Sequence, residues 1–193
     1  MTLTLSQVER QSELTNYATQ FGASAQLAIH SGTAPADADT ALSSNPICGA
    51  LPFSATPFGA ATAAKPSVIT ANALTQTNAY ATVTATFYRC YSQGTAGVTG
   101  SSFVVGNVYA IQAMGSSTTA NWQSIGLPGT VTTATVGMLF VATATTLTGS
   151  GTAYLMNVIE QGIIGTSGQD LNLNTTSIVT GGPIAVTSFT RQM

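Results

Sequence analysis

The chain has 193 residues, of which only four are Lys or Arg and six are Asp or Glu, whereas Thr alone occurs 33 times. About a quarter of the residues in an ordinary globular domain are charged, so hydroxyls, amides and backbone must solvate this surface. The absence of a basic run argues against a nucleic-acid interface, and the absence of about 20 consecutive apolar residues argues against a membrane span. So few charges suit a protein whose faces are covered inside an assembly.

The first residues and the cysteines give expectations about secretion and about disulfide or metal chemistry. No basic segment followed by an apolar segment opens the sequence, so we expect no secretory signal peptide. Cys48 and Cys90 are the two cysteines. Without secretion they are expected to be buried free thiols rather than a disulfide, and two thiols alone do not make a zinc site.

The first predicted element is a helix over about residues 7–21. Ser6 and Glu9 have the spacing of a capping box, and Gly22 supplies the stop. Four apolar side chains then fall on one face at helical spacing. These are Leu14, Tyr17, Ala18 and Phe21. We expect Tyr17 and Phe21 to be buried against the rest of the protein or a neighbouring subunit, and take both as candidate assembly contacts.

After this helix the helical period is absent, and the sequence predicts short strands separated by turns. The clearest strand is 80–91, where apolar residues alternate with Thr in the pattern of a half-buried antiparallel strand. His30 lies on the polar side of an earlier alternating strand and is expected at a surface or interface. The predicted strands outside the central segment are 26–30, 47–53, 66–74, 80–91, 154–161, 171–173 and 184–190.

The segment 95–153 has a different texture, with three or four short predicted strands between turns rich in Gly, Ser and Thr. These strands fall within 103–111, 122–126, 136–143 and 149–153. We predict a small β module inserted into a hairpin of a parent domain formed by 1–94 and 154–193, because insertion at an exposed loop tip costs little. Tyr109 and Trp122 are expected in the core of this module, and both are also candidate assembly contacts.

No set of residues predicts catalysis. Neighbours in a strand point to opposite faces, so Ser31 and His30 cannot act as nucleophile and base. Asp37, Asp39 and the distant Asp170 lack the 12-residue loop of a calcium-binding EF hand, so Asx turns are expected for the first two. We therefore predict no catalytic residue, no metal site and no cofactor.

Two further patterns are better explained by turns. The stretch 165–170 looks like a phosphate cradle, but it lacks Lys and leads into a Leu-Asn-Leu strand rather than a helix. Glu160 and Asp170 could form the carboxylate pair of a glycosidase, yet nothing in the sequence separates their pKa values. Solvated turn positions are expected for both.

Three stretches resemble a family of small virion structural proteins from tailed bacteriophages and prophages. They are 27–42, 79–89 and the C-terminal 165–190, which includes Gly-Thr-Ser-Gly-Gln-Asp-Leu-Asn-Leu-Asn and Gly-Gly-Pro-Ile-Ala-Val-Thr-Ser-Phe-Thr. In typical members the strand ending in Phe-Tyr-Arg, here 87–89, passes through a short turn into the strand matching 156–160. In this chain 95–153 intervene, and this insert is similar to a β module of many phage virion proteins.

This resemblance implies an all-β protein, an antiparallel sandwich of jelly-roll type with one N-terminal helix and the inserted module. It implies a non-enzymatic capsid decoration or cement protein, made in the bacterial cytoplasm and bound to the capsid exterior. Its expected partners are the major capsid protein and copies of itself, with no nucleic acid and no membrane. Alternatives are a tail, neck or fibre component, or a virion-borne carbohydrate-binding module that touches a host glycan with Tyr109 and Trp122.

Overall fold

The computed structural model describes residues 4–43, 45–74 and 78–193. Strands dominate these ranges, as the sequence predicts, and helix is a minor component. In chain order the elements are α1 (Gln7–Thr19), β1 (Gln26–His30), β2 (Ile47–Pro52), β3 (Val68–Thr70), β4 (Val83–Thr84), β5 (Phe87–Gln93), β6 (Val108–Ala113), α2 (Thr119–Ser124), β7 (Leu139–Val141), β8 (Thr152–Gly165), β9 (Leu171–Leu173), β10 (Ser177–Ile178) and β11 (Val186–Gln192).

The helix α1 confirms the first predicted element. The Ser6 side chain caps it by accepting a hydrogen bond from the Glu9 backbone N–H at 3.2 Å. The helix ends at Thr19, slightly before the predicted end, and Gly22 follows with a φ of 65°. This left-handed conformation is easy for glycine and lets the chain turn away into β1.

Nine strands form one curled sheet. Its main path runs β2-β1-β5-β8-β9-β11-β3, and β6 pairs with both β8 and β7. A separate two-stranded sheet joins β4 to β10. Because β8 pairs with β6 as well as with β5 and β9, it joins the 95–153 segment to the rest of the sheet.

The prediction of a purely antiparallel arrangement is wrong at one place. β8 and β9 pair in parallel, with Ile164 opposite Leu171 and Gly165 opposite Asn172. The bend at 166–170 brings the chain back beside the end of β8, and the Asp170 carboxylate accepts a hydrogen bond from the Ile163 backbone N–H at 3.1 Å. The sheet is therefore mixed.

Both faces of the central strands are covered. On β1, Leu27 and Ile29 belong to one apolar cluster together with α1, whereas Ala28 belongs to a second cluster that includes β6 and β7 residues. Five consecutive residues of β5, from Phe87 to Tyr91, are buried as a result. The predicted strand 80–91 consists of two shorter strands, β4 and β5. Its Thr-rich face is exposed at Thr82 and Thr84, as predicted, but Tyr88 on the same face is buried.

The segment 95–153 builds a third apolar cluster and contains an unpredicted helix. The predicted strand at 122–126 is replaced by α2, which Thr118 and Asn121 cap reciprocally. Trp122 projects from α2 into a cluster whose buried members all lie within 103–153. Whether this segment folds separately remains a prediction, since Val108, Ala110 and Leu139 also belong to the cluster that contains Ala28.

Candidate functional site

The first two candidate contact residues lie near the C-terminal end of α1, with Tyr17 inside the helix and Phe21 two residues beyond it. Phe21 is 1% exposed and packs edge-on against Phe53 and Phe58, with ring centroids 5.1 and 4.9 Å away. Tyr17 is half-buried and packs edge-on against Phe21 and Phe58. The predicted apolar stripe thus docks on the chain's own sheet. Phe21 has no surface left for a neighbouring subunit, so its assignment as an assembly contact is corrected.

The other two candidate contacts lie in the core of the 95–153 segment. Tyr109 and Trp122 are 1% and 0% exposed and both pack on Phe140, with centroid distances of 5.8 and 5.6 Å. The Tyr109 hydroxyl accepts a hydrogen bond from the Val104 backbone N–H at 2.9 Å. Their predicted core role is confirmed. Because their ring faces are enclosed, neither can stack on a sugar or contact another chain in this conformation.

His30 is fully buried, which corrects the prediction of a surface position. Its ring stacks on Phe87 at 4.9 Å, and its Nδ1 lies 3.2 Å from the Asn45 carbonyl oxygen. Burial lowers the pKa of His30 to about 4, and the positive charge of Arg89 acts in the same direction. The side chain is therefore neutral at pH 7 and holds the 31–46 loop in place.

Arg89 is the second buried polar residue on this face of the sheet, with 2% of its surface exposed. Its Nε donates to Gln161 Oε1 at 2.9 Å, and its Nη2 donates to the carbonyl oxygens of Asp37 and Thr40 at 3.1 and 2.7 Å. The Gln161 amide in turn donates to the Pro35 carbonyl. Arg89 and Gln161, which lie on strands, thus hold the loop in place by donating hydrogen bonds to its backbone carbonyl oxygens.

The opposite face holds an ion pair between β8 and β11. Arg191 Nη2 lies 2.6 Å from Glu160 Oε1, and Arg191 Nε donates to Oε2 at 3.0 Å. The guanidinium also donates to the Tyr88 hydroxyl and lies over the Phe189 ring at 4.8 Å. Glu160 is therefore a paired strand residue and not a solvated turn position, and its carboxylate is occupied by Arg191.

The acidic residues weighed for calcium or glycoside chemistry have structural roles. Asp37 Oδ1 accepts hydrogen bonds from the backbone N–H and the hydroxyl of Thr40, both at 2.7 Å, which confirms an Asx turn. These hydrogen bonds hold the pKa of Asp37 below its ordinary value. Asp170 fixes the end of β8. Within residues 4–43, 45–74 and 78–193, no group of three or more His, Cys, Asp or Glu side chains could hold a metal ion.

The cysteines are free and buried, as predicted. Burial raises the pKa of both thiols, and the nearby Glu160 carboxylate adds to this effect at Cys90. Thiolate chemistry is therefore disfavoured at both positions.

Two cavities are the concave features of interest. A groove of about 670 Å³ lies between α1 and residues 55–61 and is lined mainly by small and apolar side chains. A second cavity of about 370 Å³ lies between residues 38–41, 106–108 and 155–158, and Arg89 contributes to its lining. The sequence pointed to neither cavity, because each is assembled from segments that are far apart in the chain.

Comparisons with known proteins add no identification. No family model matches the chain, and neither a curated protein nor a solved structure is significantly similar to it. Among the helices in the described ranges, none is long and apolar enough to cross a membrane.

Proposed function

We propose that this chain is a non-enzymatic structural protein of a tailed-bacteriophage virion. Its proposed position is the capsid exterior, where it acts as a decoration or cement protein that bridges neighbouring copies of the major capsid protein. The three stretches that resemble virion proteins support this proposal, and they also suggest that the parent part has jelly-roll topology. The β-rich fold is compatible with both suggestions.

The observation that carries the proposal is the distribution of charge. The sequence has ten charged side chains, but Arg89 is buried and the Glu160–Arg191 pair is largely covered, with side-chain exposures of 16% and 22%. The surface is consequently even less charged than the composition suggests. A free protein with so little like-charge repulsion associates readily.

Exposed apolar side chains are scattered over this neutral surface, most of them in loops and turns. They are Leu5, Val8, Val104, Val105, Val136, Ile163, Val179 and Met193. Contacts made by such side chains and by Thr and Ser hydroxyls depend little on salt. Repetition by capsid symmetry multiplies contacts that are individually modest, which suits a clamp on a shell under internal pressure.

The test uses particles of the phage or prophage that encodes this chain. Quantitative mass spectrometry should count the chain in hundreds per particle, as expected of a protein that follows the shell lattice. Stripped particles should then rebind the purified chain equally well at low salt and in about 0.5 M salt, where the Debye length is only a few ångströms.

Each outcome separates the alternatives. A count in the tens or fewer would favour a tail, neck or fibre component. A steep loss of rebinding at high salt would show that the few charged residues dominate the contact, and the argument from composition would fail. Absence of the chain from purified particles would overturn the proposal as a whole.

A further inference from the structure

The 370 Å³ cavity carries an inference that is independent of a capsid role. Its wall combines the 38–41 loop, residues 106–108 from the 95–153 segment, and β8 residues 155–158. Arg89 lines it from the central strand β5, and Asp39, Thr40 and Asn107 are among the polar residues around it. Ligand sites favour such junctions between parts of a fold, with a few polar groups converging on a concave space.

Arg89 forms no ion pair within the described ranges. The ion pair found there joins Arg191 to Glu160, whereas Arg89 donates to one amide oxygen and two backbone carbonyl oxygens. The Tyr91 hydroxyl lies beside Arg89, and the Asp37 carboxylate is close enough to interact with its charge without contacting it. Keeping a guanidinium buried without a carboxylate partner is costly. The two arginines on opposite faces of the sheet therefore differ, because Arg191 contacts a carboxylate directly and Arg89 does not.

One nitrogen of the Arg89 guanidinium makes no hydrogen bond to the described residues. Nε and Nη2 make the three hydrogen bonds to the protein, whereas Nη1 makes none to any described residue. Nη1 is also not among the enclosed side-chain atoms without a partner, so it retains contact with solvent. Arg89 is among the residues that line the cavity, so a ligand in the cavity can approach its guanidinium.

We propose that this cavity binds a sugar acid, with the ligand carboxylate on Arg89 Nη1. Guanidinium–carboxylate contacts are charge-assisted and strong. A cavity of 370 Å³ is far larger than a carboxylate group requires and falls in the range that holds small organic ligands. The Asp39 carboxylate in the cavity wall would repel a highly charged anion such as phosphate. It can nevertheless accept hydrogen bonds from sugar hydroxyls, as Thr40 and Asn107 can also do.

The experiment is calorimetric or ligand-detected NMR titration of the full chain with three probes. Sodium glucuronate should bind at least about tenfold more tightly than glucose, which lacks the carboxylate, because an added charge-assisted hydrogen bond is worth at least that factor. N-acetylglycine carries one carboxylate, as glucuronate does, but no ring hydroxyls, and it should bind more weakly than glucuronate. Equal affinity for glucuronate and glucose, or for glucuronate and N-acetylglycine, would overturn the proposal.

Substitutions in the cavity wall test whether glucuronate binds in this cavity. Arg89→Lys keeps the charge but loses the planar fork, so we expect glucuronate affinity to fall at least about tenfold. Since Arg89 also holds the 38–41 loop, Asn107→Ala provides a second variant that leaves the backbone hydrogen bonds of residue 107 intact. It should weaken glucuronate binding by about threefold to tenfold.

Lys65→Gln is the matched control, because Lys65 is an exposed cation that does not line the cavity. Its glucuronate affinity should equal that of the unmodified chain. An equal loss in Lys65→Gln would show non-specific attraction to positive charge, and unchanged binding by Asn107→Ala would show that the ligand binds elsewhere. Either result would refute the cavity as the site.

Discussion

Three polar side chains that are buried or largely covered are stabilised in three different ways on the two faces of the sheet. Glu160 forms an ion pair with Arg191. Arg89 donates hydrogen bonds to neutral oxygens of the loop that it holds. His30 instead gives up its proton, because neither its burial nor the nearby Arg89 favours an imidazolium. The contact between His30 and the Asn45 carbonyl, which helps to hold the loop on this face, therefore depends on the protonation state of His30.

We predict that acid destabilises the chain through His30. The pKa of His30 is 6.5 in an ordinary setting and about 4 in the fold, mainly because of burial. Between these values the unfolded chain binds a proton that the folded chain does not. Stability should therefore fall as pH decreases from about 6.5 to 4, by on the order of 3 kcal/mol.

Urea unfolding at pH 7 and pH 4.5 measures this effect. His30→Gln, which retains a donor for the Asn45 carbonyl, should lose clearly less stability between the two pH values than the unmodified chain. If both proteins lose the same amount, His30 is not the acid-sensitive group and the assignment of its protonation is wrong.

At the scale of elements, α1 derives its stability from its inner face. Phe21, two residues after the end of α1, is enclosed by Phe53 and Phe58, whereas Val8 at the start of the helix is 74% exposed. Phe21→Ala should therefore reduce the free energy of unfolding by about 3–5 kcal/mol through loss of burial and the cavity left behind. Val8→Ala, the matched control, should change it by less than about 0.5 kcal/mol.

Denaturant titration followed by circular dichroism compares the two variants. Similar, small effects of both substitutions would mean that α1 is not anchored to the sheet in solution. The docking described for Tyr17 and Phe21 would then require another chain.

The contrast between α1 and α2 shows which local signals the sequence contains. α1 spans 13 residues behind a Ser6 cap, long enough for Leu14, Tyr17 and Ala18 to repeat at helical spacing, and Phe21 continues the pattern just beyond the end of the helix. α2 spans six residues, too few for a period, and its capping box uses Asn121 in place of the usual Glu or Gln. For this reason the sequence predicts a strand at Trp122 and Ile125.

The burial of His30 could not be inferred from alternation in β1. Alternation identifies a buried face only when the other face meets water. Here the 31–46 loop and β6–β7 cover the second face, so Ala28 and His30 are as buried as Leu27 and Ile29. Strand positions were thus largely predictable, whereas exposure was not, because the covering segments are distant in sequence.

At the scale of the molecule, the same reasoning explains why the Arg89 cavity was not predicted. Arg89 was visible in the sequence as part of a Phe-Tyr-Arg strand ending, but the other walls come from three separate segments. No local motif encodes such a convergence. The parallel β8–β9 pair is likewise a consequence of how the 166–170 bend returns the chain, which turn-forming residues alone do not specify.

The last prediction concerns the independence of the 95–153 segment. β5 and β8 remain paired up to Gln93 opposite Met156, so the register needed for a hairpin already exists at the base of the insertion. Replacing 95–153 with a two-residue turn should leave a protein that unfolds in one cooperative transition. Its stability should decrease, because Val108, Ala110 and Leu139 no longer cover the apolar face around Ala28.

Trp122→Ala in the full chain provides the companion measurement. Trp122 lies in the cluster formed within 103–153, so the substitution should weaken amide hydrogen-exchange protection in β6 and β7 while β5 keeps its protection. If the deletion abolishes cooperative unfolding, or if Trp122→Ala removes protection from β5 equally, the shared apolar cluster dominates. The two parts would then form a single cooperative unit, and the inserted segment would be indispensable to the sheet that it adjoins.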